Sequence, residues 1–97
     1  MNSERDVTLA LAFHARAAEA RVHLREQMES LGLHEADGWK IAESIRQRPD
    51  GGCELHMCPL HLRLKAPAGI ECVVALDPQE QKVETDCTPE PVTSRDR

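Results

Sequence analysis

Residues Cys53–Lys65, CELHMCPLHLRLK, are the longest extended-looking run in the chain, and the fold turns on how this run is paired. It carries two of the four cysteines and two of the five histidines, and an apolar segment lies on each side of it. Pro49-Asp50-Gly51-Gly52 before it and Ala66-Pro67-Ala68-Gly69 after it are turn chemistry, which predicts a hairpin on both sides.

The upstream partner, Trp39 to Arg48, has a composition that suits a helix, yet Trp39, Ile41 and Ile45 alternate as a strand does and the segment runs straight into a hairpin-type turn. Read as a strand and closed with Arg48 opposite Cys53, it sets Trp39 beside Leu62, Ile41 beside Leu60, Glu43 beside Cys58 and Ile45 beside His56. Downstream, pairing Leu64 with Ile70 sets Leu62 opposite Cys72, Leu60 opposite Val74 and Cys58 opposite Leu76. The last hairpin turns through Pro78-Gln79-Glu80-Gln81, with Asp77 opposite Lys82, Leu76 opposite Val83, Val74 opposite Thr85 and Cys72 opposite Cys87. These registers agree on one apolar face, and side chains alternate across a strand, so a slip of one residue would invert it. Pro59 is the dissenting residue, because a proline inside a central strand removes a donor from the ladder.

Ahead of the strands, Ser3 with Asp6 resembles a capping box, and the residues from Glu4 to Leu31 are helix formers without Pro or Gly. Gly32-Leu33 then supplies a glycine stop with its apolar follower. Ala10, Phe13, Ala17, Ala20, Leu24, Met28 and Leu31 recur at helical spacing as a core stripe, and a second row, Val7, Leu11, Ala15, Ala18 and Val22, runs beside it. The expected fold is therefore α+β, one long N-terminal helix packed on a four-stranded antiparallel β-meander. Residues 1–88 are expected to form a single domain, and the polar, Pro-bearing residues 89–97 a disordered C-terminal tail.

Composition restricts function. One Trp, one Phe and no Tyr leave almost nothing on which bases could stack, and a formal charge of −5 repels phosphate backbones and anionic lipid. No nucleic acid or membrane partner is expected. The opening residues, MNSERDVTLALAF, place charges where a secretory signal needs an unbroken apolar run, so the chain is expected to be cytoplasmic. In that reducing setting Cys72 and Cys87 read as two small apolar core thiols rather than a cross-strand disulfide.

The cysteines and histidines carry the remaining chemistry. As a string, Cys53-x-x-His56-x-Cys58-x-x-His61 suits zinc, but on a strand its ends are roughly 25 Å apart and its members face both sides. Only Glu43, His56 and Cys58 converge in the expected register, as a metal- or redox-responsive alternative with zinc as cofactor. No nucleophile elbow, phosphate-binding loop or CxxC motif is present, so no enzyme activity and no catalytic residue are expected. The preferred reading is a homodimer, or a module for an unidentified protein partner, using Val7, Leu11, Ala18 and Val22 on the helix and Leu55 and Met57, with Val73 and Ala75, on the outer face of the sheet.

Overall fold

The computed structural model describes residues 3–34, 36, 38–61 and 69–88. Helix α1 spans Ser3–Ser30, and four strands follow: β1 Trp39–Gln47, β2 Cys53–His61, β3 Glu71–Asp77 and β4 Lys82–Thr88. They form one antiparallel sheet in the order β1-β2-β3-β4, with the helix across one side, the α+β meander expected from the sequence. The helix ends as its sequence requires. The Leu33 amide donates to Met28 O at 3.0 Å and the Gly32 amide to Glu29 O at 2.9 Å, the paired bonds of a Schellman stop. The expected tail at 89–97 and the expected turn at Ala66–Ala68 lie outside the described residues. Among the described residues no helix is long and apolar enough to cross a membrane.

The β3–β4 hairpin has the expected register: Leu76 faces Val83, Val74 faces Thr85 and Cys72 faces Cys87. Asp77 fixes its turn, its Oδ1 accepting from the amides of Gln79 and Glu80, both at 3.0 Å.

The other two registers differ from expectation. Trp39 pairs with His61, Ile41 with Pro59, Glu43 with Met57 and Ile45 with Leu55, one residue away from the register that closes Arg48 on Cys53. The cause is loop length. Arg48 pairs with Gly52, its amide donating to Gly52 O at 2.9 Å, so the loop holds three residues, Pro49, Asp50 and Gly51, with Gly51 at φ 90°. A turn followed by a left-handed glycine is the standard three-residue hairpin connection, and it adds a bulge that shifts the pairing.

Between β2 and β3 the ladder runs from Cys53 opposite Leu76 to Met57 opposite Cys72, five residues from the expected register. The expected pairing would have buried Pro59 between two ladders. In the structure Pro59 lies beyond the end of the β2–β3 ladder and, among the described residues, pairs only with Ile41 of β1, so its missing N–H does not interrupt two ladders.

Both differences are odd-numbered, so β2 presents its other set of side chains to the helix. Leu55 and Met57 are core residues, while Leu60, expected inside, is exposed. They join Cys72, Val74 and Cys87 beneath Ala17, Ala20 and Leu24, with Phe13, Ile41 and Val83 packed at the margin. Helix α1 packs chiefly on β3 and β4 and less on β2. Of the expected helix stripe, Ala17, Ala20, Leu24 and Met28 are buried, whereas Ala10 and Leu31 at its ends are exposed.

Gly52 stands where β2 begins beside the end of β3, and a Cβ there would collide with the backbone oxygen of Leu76. Backbone must shift to admit one. Gly52→Ala is therefore expected to destabilise the fold by about 1–3 kcal/mol, read as a lower denaturant midpoint with an unchanged slope.

Candidate functional site

The three residues expected to share a metal are divided between the two sides of the sheet. Glu43, opposite Met57, is on the helix side, where Arg21 grips both carboxylate oxygens from Nε at 2.7 Å and a terminal nitrogen at 3.0 Å. This fork holds the Glu43 carboxyl below its ordinary range, against the opposing effect of burial. His56 and Cys58, opposite Ser44 and Ala42, are on the outer side. His56 Nε2 lies 2.9 Å from Glu54 Oε1, and Arg48 Nε donates to Glu54 Oε2 at 2.9 Å. The hydrogen bond to His56, then that from Arg48, lowers the Glu54 pKa. Cys58 is exposed. The expected Glu43, His56 and Cys58 set therefore does not converge, because the one-residue register difference inverted β2 against β1.

The expected interaction residues divide likewise. Val7, Leu11, Ala18 and Val22 are all exposed on the helix. Leu55 and Met57 are buried under that same helix and are unavailable as an outer patch, a correction with the same cause. Val73 and Ala75 do lie on the outer side, half-buried, but their cross-strand neighbours there are Glu54, His56, Glu84 and Asp86, so that face is polar.

A different cluster forms where α1 crosses the last hairpin. Cys72 and Cys87 are joined as a disulfide with Cα atoms 4.0 Å apart, in place of the free thiols expected. The short Cα separation belongs to a non-hydrogen-bonded cross-strand pair. Above it stands His23, whose ring nitrogen lies with the two sulfurs inside a group of atoms all within 4.8 Å of one another. Both cysteines are buried and His23 is half-buried. A cleft of about 190 Å³ opens beside the cluster, lined by Arg16, Glu19, Ala20, His23, Thr85 and Cys87. Arg16 donates to Thr85 Oγ1 at 3.4 Å across its floor.

Sequence reasoning placed the two cysteines opposite each other and missed His23, which belongs to no spacing motif. The available signal was helical phase. His23 lies four residues from Glu19 and seven from Arg16, on the flank of α1 that must face β4 if Ala17, Ala20 and Leu24 face the core.

Comparison with protein-family models finds no match, and no curated protein and no solved structure is significantly similar to this chain. The fold and its surfaces define a two-layer α+β protein with an apolar outer helix row and a sulfur–imidazole cluster beneath the helix.

The Arg21–Glu43 pair ties α1 to β1, and its depressed carboxyl makes it acid-sensitive. Its contribution is complete above the ordinary carboxyl value of 4.5 and fades as pH falls through the lower folded-state value. Both side chains are about one-third exposed, so the pair is worth only about 0.5 kcal/mol. Glu43→Gln is expected to lower stability by that amount at neutral pH, with the difference from wild type closing in acid. Denaturation midpoints across pH 3–7 measure it.

Proposed function

We propose that the protein is a non-enzymatic, cytoplasmic interaction module that acts as a homodimer through the outer row of α1. The observation carrying this reading is the exposure of three large aliphatic side chains along that row: Val7 at 56%, Leu11 at 65% and Val22 at 51%. Isolated exposed aliphatics are ordinary, but here they share one helix face with Ala15 and Ala18, both small enough to let a second helix approach closely.

The row's place on the molecule supports the same reading. Arg21 turns toward β1 and Arg16 toward β4, which leaves Val7, Leu11, Ala18 and Val22 on the outer surface of the helix, away from the sheet. The inner side of β1 is also only partly roofed, and Ile45 there is 60% exposed.

A second copy suits this surface better than an unrelated partner because the row is self-complementary. An antiparallel two-fold pairing that sets Val7 against Val22 of the partner subunit also sets Leu11 against the partner's Ala18. The same register opposes Glu4 to the partner's Arg25, so opposite charges flank the apolar contact.

Sedimentation at micromolar concentration is expected to give a dimer. Leu11→Asp and Val22→Asp, each at an exposed position on the helix, are expected to give monomers with unchanged helical circular dichroism. A wild-type monomer at tens of micromolar would overturn the reading.

A further inference from the structure

We propose that the sulfurs of Cys72 and Cys87, once their disulfide is reduced, form with the His23 imidazole a binding site for a zinc ion. The ligand set comes from three separate elements, His23 from α1, Cys72 from β3 and Cys87 from β4. Among the described residues no other group of three metal-ligating side chains converges.

The dimensions fit. Tetrahedral zinc with Zn–S near 2.3 Å and Zn–N near 2.0 Å places neighbouring donor atoms about 3.5–3.8 Å apart. The three donors lie within 4.8 Å of one another while the sulfurs are bonded, so after reduction the sulfurs separate and the imidazole turns toward them by side-chain rotation. Two thiolates and an imidazole are also the donors that favour zinc over magnesium or calcium.

The surroundings supply the rest of a site. Glu19 is four residues from His23, on the same helix face, and lines the same cleft. Its carboxylate lies outside the group of converging donors, so water takes the fourth position unless Glu19 turns in. Two thiolates neutralise Zn²⁺, and Arg16 in the cleft wall offsets the charge that Glu19 would add. The cleft itself is the path by which an ion enters.

The disulfide and the ion are alternative uses of the same sulfurs. A thiol reductant converts the disulfide to two thiols and is itself oxidised to a disulfide. Zn²⁺ then displaces one proton from each thiol and binds the resulting thiolates. In the reverse direction a small-molecule disulfide takes two electrons from the thiolates, the Cys72–Cys87 bond re-forms and the ion leaves. The ion would also clamp α1 to the β3–β4 hairpin, so binding adds to folding stability.

Cobalt titration of the full chain, reduced with a phosphine under anaerobic conditions, tests this directly. A thiolate-to-cobalt charge-transfer band is expected at one ion per chain, whether the chain is monomer or dimer, and zinc should bleach it. Zinc should raise the melting temperature of the reduced protein and leave the oxidised protein unchanged. His23→Ala and His23→Gln, each checked for native circular dichroism, should weaken cobalt binding about tenfold or more. A Cys53→Ser/Cys58→Ser double variant should bind as the wild type does. Absence of the band in reduced, folded protein would overturn the proposal. So would a band unchanged by both His23 substitutions, or one lost with Cys53 and Cys58.

Discussion

The pairing of β3 with β4 is the constraint from which the rest of the molecule takes its positions. Its turn is held by a carboxylate two residues from the bend, and its alternation turns Cys72, Val74 and Cys87 inward together. Ala17 and Ala20 let the helix settle closely on that surface, and Leu24 fills what remains. Once the helix is seated there, its phase is determined, and with it the side chains it offers on each flank.

The consequence is a sheet roofed unevenly. A helix about 10 Å wide cannot cover four strands spaced about 4.8 Å apart, so a helix centred on β3 and β4 leaves β1 at the edge. There the tie between layers is an ion pair, Arg21 with Glu43, beside the marginal apolar packing of Ile41. The other side of the sheet solves its contact with water differently. Glu54 lies between Arg48 and His56, and Lys82 lies between Glu80 and Glu84, so the alternate positions are charged and locally paired. The molecule thus has one polar sheet face and an aliphatic ridge on its helix.

The two flanks of α1 carry different chemistry for a geometric reason. Residues three and four apart share a face, so Arg16, Glu19 and His23 collect over the last hairpin while Val7, Leu11, Ala18 and Val22 collect on the outer surface. The proposed dimer and the proposed zinc site therefore occupy different faces of one helix, and neither needs the other's residues.

Local physics alone determined the helix from Ser3 to its glycine stop, the existence of four strands, and the β3–β4 register, whose turn residues and apolar alternation agree. It also placed Cys72 opposite Cys87. It did not determine the registers of β2, because a period of two tells which side chains alternate but not which set faces the core. That parity depends on a left-handed Gly51 shortening one loop and on Pro59 lying outside the second ladder, and both are settled only when strands compete for partners. Placement of Leu55 and Met57 inside, separation of Glu43 from His56 and Cys58, and arrival of His23 over the sulfurs all followed from that competition. Each is a relation between residues far apart in the chain; helical phase put His23 on the flank facing β4, but spacing along the sequence does not say which side chains meet it there.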